Sequence, residues 1–108
     1  MKLEPTSHRI ATVAVVFFLF AGVTFAQDDT KALYLDRCSV CHGPNGQGKT
    51  AKGRKLKVKS VKDTIASEDE AAMIKIVTDG KGDMDSFKKQ LTPDQIKAVV
   101  EYYRGLAH

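Results

Sequence analysis

The side chains best suited to chemistry in this 108-residue chain sit at Cys38-Ser39-Val40-Cys41-His42, which holds its only two cysteines and a histidine directly after the second. Two thiols separated by two residues on a helical turn can add to the two vinyl groups along one edge of a porphyrin. The adjacent imidazole then lies beneath the iron as the proximal ligand. The segment therefore reads as the attachment point of one covalently bound haem c, with Cys38 and Cys41 forming the thioethers and His42 on the metal. Two other chemistries fit less well. A disulfide oxidoreductase needs its Cys-x-x-Cys on a βαβ scaffold, and a closed zinc site needs four ligands where only Cys38, Cys41, His42 and the terminal His108 are available.

The far face of the iron needs its own donor, and after residue 26 the methionines are Met73 and Met84. Met73 falls within a helical apolar pattern and reads as core. Met84 is a lone apolar side chain in the polar run Asp79-Gly-Lys-Gly-Asp-Met-Asp-Ser-Phe87, where coordination accounts for an otherwise unexplained residue. Met84 is thus the expected distal ligand, and His108 reads as a solvated tail. A second motif competes on paper: Gly43 to Thr50 matches the phosphate-binding pattern G-x-x-x-x-G-K-[ST] letter for letter. That loop works only between a buried strand and a helix N-terminus. Here it follows the attachment turn and precedes a lysine-rich segment, so nucleotide binding is rejected and the glycines read as tight turns beside a flat cofactor.

The elements that must position these residues read as all-α, because no alternating β-branched run is long enough for a sheet. A first helix starts at Asp28, Asp29 or Thr30 and carries Leu33, Tyr34 and Leu35 toward the cysteines. A second is expected to open with a capping box of Ser67 and Glu70, to draw its apolar side from Ala71, Met73, Ile74, Ile76 and Val77, and to stop at Gly80. A third is capped by Thr92 with Pro93 in its first turn and Gln95 closing the box. Its Ile96, Val99, Val100, Tyr103 and Leu106 repeat at helical spacing.

The first 26 residues read as an export signal: Lys2 and Arg9 precede an apolar run from Ile10, and Thr24 and Ala26 suit cleavage after Ala26. The apolar stretch is short for a transmembrane helix. A cleaved signal and a retained anchor both stay open, and both place the body, residues 27–108, in the periplasm or otherwise outside the cytoplasm. That body is one small domain with a thin core, since the chain has no Trp and four of its five Phe lie within the first 26 residues. A domain of this size buries only about 60–65% of its unfolded surface, so a cofactor would have to help hold it. Its 15 basic and 12 acidic residues are unevenly spread. Lys49, Lys52, Arg54, Lys55, Lys57, Lys59 and Lys62 form a stretch without one acid, followed by Glu68, Asp69 and Glu70. The stretch is either a solvated loop or a docking surface for an acidic partner. Nucleic acid is excluded as a partner, because no aromatic interleaves the lysines and no recognition helix accompanies them.

With these residues assembled, the chain resembles a class I monohaem cytochrome c of the small bacterial kind over nearly its whole body. Tyr34 stands four before the first Cys, Cys38 to Gly48 matches Cys-x-x-Cys-His-Gly followed by Gly-x-Gly, and Gly80 to Gly82, Met84, Phe87, Leu91-Thr92 and Tyr102 match the family's C-terminal pattern. The resemblance implies three or more helices around one haem, with the first and last crossing near Tyr34 and Tyr102. It implies one-electron transfer between membrane-bound or exported redox proteins through a six-coordinate His42/Met84 iron, and no enzymatic activity. Contact with a membrane follows only if the signal segment is retained. A ligand-binding or weakly peroxidatic haem domain is the alternative, and a purely structural exported helical domain a lesser one.

Three departures from the family stand out. Asp85 takes the place of the Pro often found after the ligand Met, which should leave that loop less stiff. Gly53-Arg54 replaces a Gly-Pro whose region supplies a carbonyl to the imidazole N–H, so that hydrogen bond remains an expectation. Thr30 replaces a small Gly at the helix crossing and should open that contact slightly.

Overall fold

The computed structural model describes residues 27–108, and the expected export signal lies outside them. Within the described residues the chain forms six helices and no strand: α1 (Gln27–Arg37), α2 (Ser39–His42), α3 (Ala51–Lys55), α4 (Val61–Ser67), α5 (Glu70–Asp79) and α6 (Pro93–Gly105). The all-α expectation holds, with three helices, α2, α3 and α4, more than the apolar periodicity revealed. No described helix is long and apolar enough to cross a membrane.

α1 is already helical at Gln27, so Asp28 and Asp29 lie in its first turn rather than capping it, where their charges still oppose the helix dipole favourably. The N-cap of α5 is also displaced from its expected place. Ser67 is the last residue of α4, which Ser60 caps by accepting from the Asp63 N–H (3.2 Å). The α5 cap is Asp69, whose carboxylate accepts from the Ala72 N–H at 2.8 Å. A helix ending at Ser67 removes that hydroxyl from competition, and the next short polar residue with extended backbone takes its place. α6 forms as expected, with the Thr92 hydroxyl accepting from Gln95 N–H (3.2 Å) and the Gln95 side chain from Thr92 N–H (2.9 Å).

α1 and α5 both pack on α6, and α2 packs on α3. The core falls into two clusters. One joins Tyr34, Val61, Met73, Val100 and Tyr103, the other Leu91, Ile96 and Val99, and the half-buried Ile74 and Val77 touch both. The helix crossing lies where the resemblance implied, with the Tyr34 and Tyr102 rings 5.1 Å apart. Thr30 is buried there, and a groove lined by Asp29, Thr30, Leu33, Gln95 and Ala98 runs beside it. The helices still pack, so the larger side chain is accommodated.

Candidate haem site

Every residue singled out for cofactor chemistry reaches one cleft. Cys38, Cys41, His42 and Met84 all line a cavity of about 510 Å³, within the range that holds a cofactor-sized ligand. A smaller apolar recess of about 80 Å³ also touches Cys38, His42 and Met84 and is closed by Tyr34, Met73, Val100 and Tyr103 among others.

The attachment turn is fixed from both sides. The Tyr34 main-chain carbonyl accepts from Cys38 N–H at 2.8 Å, and its buried hydroxyl donates to the Gly43 carbonyl at 2.7 Å, so one residue clamps both ends of the motif. Burial pushes the Tyr34 hydroxyl far above its ordinary range and keeps it a neutral donor. Both cysteines are free and half-buried. Burial, with the Cys41 charge adding and Arg37 opposing, pushes the Cys38 thiol up to about 11.

His42 stands edge-on to Tyr103, ring centroids 5.1 Å apart, and burial lowers its pKa, which holds the imidazole in the neutral form that binds metal. Its Nδ1 is buried without a partner. The expected hydrogen bond to a carbonyl at Gly53-Arg54 is not made. Both carbonyls close the end of α3 instead, Gly53 accepting from Val58 N–H at 2.9 Å and Arg54 from Lys57 N–H at 3.2 Å. Gly53 has a different duty. A Cβ there would collide with the carbonyl oxygens of Cys41 and Gly48, so only glycine lets α3 lie against the attachment turn.

Met84 is half-buried on a loop that the sequence left without visible support. Lys81 and Met84 exchange two backbone hydrogen bonds of 3.0 Å, forming an isolated bridge, and Ser86 and Phe87 tie the loop back to α5 at the Thr78 and Val77 carbonyls (2.6 and 2.9 Å). Gly80, at φ 79°, makes the sharp exit from α5, and a Cβ on it would stand 2.8 Å from the Met84 carbonyl oxygen. Met73 is only 4% exposed, and Arg104 points an N–H at its sulfur (3.8 Å). His108 is exposed.

The nucleotide loop is ruled out by its setting. Helix α2, not a strand, precedes it, and the Thr50 hydroxyl caps α3 by accepting from Gly53 N–H (2.9 Å) while donating to the Val40 carbonyl (2.6 Å). Of the basic stretch, Lys52, Lys57 and Lys59 line the cleft, whereas Lys49, Arg54, Lys55 and Lys62 do not.

A fold of short helices around a cleft that gathers two thiols, an imidazole and a thioether is that of a c-type cytochrome. The family model described as cytochrome C oxidase, cbb3-type, subunit III, matches residues 25–102. Cytochrome c6 of Gloeothece citriformis is 35% identical over 83% of this chain and 84% of its own, and cytochrome c6 of Nostoc sp. is 29% identical over 88% and 86%. The cbb3-type cytochrome c oxidase subunit CcoP of Azospirillum brasilense is 29% identical over 75% of this chain, which spans 28% of that subunit's length. Among solved structures, the c-type cytochrome KustC0563 superposes with a TM-score of 0.66 at 30% identity, covering 73% of this chain and 98% of its own. The chain belongs to the c-type cytochrome family, a haem c protein with an electron-carrier role.

Proposed function

We propose that residues 27–108 form a one-electron carrier whose haem c is joined to Cys38 and Cys41, with His42 and Met84 as its axial ligands, exchanging electrons with exported or membrane-bound redox proteins. Residues 1–26 act in this reading as the export signal, cut after Ala26, and the carrier works outside the cytoplasm. The observation that carries it is the convergence of all four side chains on one cleft from three separate segments: the end of α1, α2 and the loop after α5.

When bound, haem c supplies an iron that alternates between ferrous and ferric states. The chain's own residues do the rest. His42, neutral and seated against Tyr103, offers a nitrogen from one wall, and Met84 offers a soft sulfur from a loop pinned at both ends. With both donors engaged, oxygen and peroxide find no open position, which favours carrying electrons over chemistry on a substrate. The sulfur ligand favours the ferrous form and raises the potential. Tyr34, Tyr103, Val99 and Val100 keep water from the recess between the donors. The exposed lysines at the cleft mouth support an acidic docking surface on the partner.

The test is a visible spectrum of the purified protein in both oxidation states with a redox titration. Low-spin lines and a weak far-red Met-to-iron band are expected, the band disappearing in Met84→Ala, which should also admit external ligands. A band that survives Met84→Ala and vanishes in Met73→Ala would reverse the ligand assignment, and a high-spin spectrum would favour a ligand-binding or peroxidatic domain.

A further inference from the structure

Resting on that carrier reading, we propose that the cleft mouth is a two-signed docking face, fitted to a redox protein that sets acidic groups against Lys52, Lys57 and Lys59 and basic groups against Asp83 and Asp85. The charges lining the cleft sort by wall. α3 and its connector to α4 bring Lys52, Lys57 and Lys59, and the 80–87 loop brings Asp83 and Asp85, all five exposed. None of these makes an ion pair with another described residue, whereas the other charges around the mouth are engaged. Lys81, the loop's one cation, pairs with Glu68 (Nζ–Oε1 3.6 Å), and Arg37 is held by Asp36 and Gln90 at 3.0 and 2.9 Å. The loop wall is therefore acidic despite its lysine.

Lys57 adds an observation independent of charge. Among the described residues it is the one non-glycine with positive φ, 55°, and it occupies the position after the α3 cap where the crossed hydrogen bonds of Lys57 and Val58 N–H end the helix. Glycine is the residue favoured there, because a Cβ is strained in that conformation. A lysine in that strained conformation, at the mouth of the site, points to a position whose side chain is used. Val40, 53% exposed between the two cysteines, adds an apolar contact on the same face. A mouth of one sign would steer a partner's approach, whereas walls of opposite sign also fix its rotation about the line of approach.

Two redox-inert paramagnetic complexes, hexacyanochromate(III) and hexaamminechromium(III), test this on the haem-loaded ferrous protein by selective broadening of amide resonances. The anion should broaden residues 52, 57 and 59, and the cation residues 82–85. The triple variant Lys52→Gln, Lys57→Gln, Lys59→Gln should raise the anion concentration needed for half-broadening about tenfold and leave the cation map unchanged. Asp83→Asn with Asp85→Asn should do the reverse. All are exposed side chains, and an unchanged absorption spectrum certifies the fold and the haem. A cation that leaves 82–85 sharp, or both complexes broadening the same residues, would overturn the proposal while leaving the carrier reading intact. A protein without the low-spin spectrum would instead defeat the carrier reading.

Discussion

Single side chains around this cleft hold more than one duty, and their replacements separate those duties. Met84 and Met73 both border the recess beside His42, yet Met73 is buried in the core with its sulfur facing Arg104. Met73→Ala should therefore cost about 2–5 kcal/mol of unfolding free energy by denaturant titration and leave the low-spin spectrum in place. Lys57 gives the opposite kind of trade. Left-handed backbone costs a side-chain-bearing residue about 1–2 kcal/mol, whereas glycine adds about 0.5–1 kcal/mol of chain entropy to be lost on folding. Lys57→Gly should stabilise the fold by about 1 kcal/mol, a rise in Tm of about 4–8 °C for a domain this small. A fall in Tm would mean that the lysine side chain makes a stabilising contact outweighing the strain. The four ligand candidates were legible in the sequence because their types are rare in it and their contexts polar or adjacent. The unpartnered Nδ1 of His42 was not, since it depends on where the Gly53 and Arg54 carbonyls turn once α3 closes.

Legibility at the scale of elements followed the strength of local signals. α6 combines a capping box, a first-turn proline and a continuous apolar stripe, all agreeing, and it appears with the expected start. α3 and α4 are five and seven residues long, too short to display a period, and α3 consists of Ala-Lys-Gly-Arg-Lys with no apolar face at all. Their existence rests on caps, Thr50 for one and Ser60 for the other, and on the contact of Gly53 with the attachment turn. The Ser67–Glu70 pair shows the limit of motif reading, since a valid capping box is overruled when the preceding helix consumes its first residue. Asp69→Ala should accordingly cost about 1 kcal/mol, and Ser67→Ala should stay within about 0.5 kcal/mol, as read by thermal or denaturant melts. Equal costs would restore Ser67 as the cap. The Met84 loop is tied to α5 by the Ser86 hydroxyl and the Phe87 amide, contacts to main-chain carbonyls that no apolar period or capping pattern announces. Gly80→Ala would drive a methyl onto the Met84 carbonyl and the Ser86 amide, 2.8 and 2.9 Å away, and should weaken the Met-to-iron band without touching Met84 itself.

At the scale of the whole molecule, charge and core both converge on the cleft. If the basic wall steers an acidic partner, the association rate should fall steeply with salt, as the Debye length shrinks from about 30 Å at 0.01 M to about 10 Å at 0.1 M. Reversal at Lys55, Lys57 and Lys59 should slow it more than reversal at Lys88, Lys89 and Lys97, which do not line the cleft, and within the first set the effect should reside in Lys57 and Lys59. Equal effects from both sets would return the stretch to a solvated loop. The core makes a stronger demand. Among the described residues its two buried clusters share the half-buried Ile74 and Val77, and side chains of both, Met73, Val100 and Tyr103 on one side and Val99 on the other, border the recess opening beside His42. Apolar surface facing a large cleft contributes its burial energy only when something apolar fills that cleft, and eight buried apolar residues are few for a domain of this size. Cys38→Ala or Cys41→Ala alone should lose one thioether and keep the haem. The double variant should release haem on denaturation and, once freed of it, lose most of its far-UV helical signal and its cooperative melt. Tyr34→Phe, which deletes only the hydroxyl bonded to Gly43, supplies the comparison of an ordinary local defect with the cofactor kept. A haem-free double variant that melted cooperatively with native helicity would mean that the six helices fold on their own contacts and the cofactor is a passenger in a core already complete.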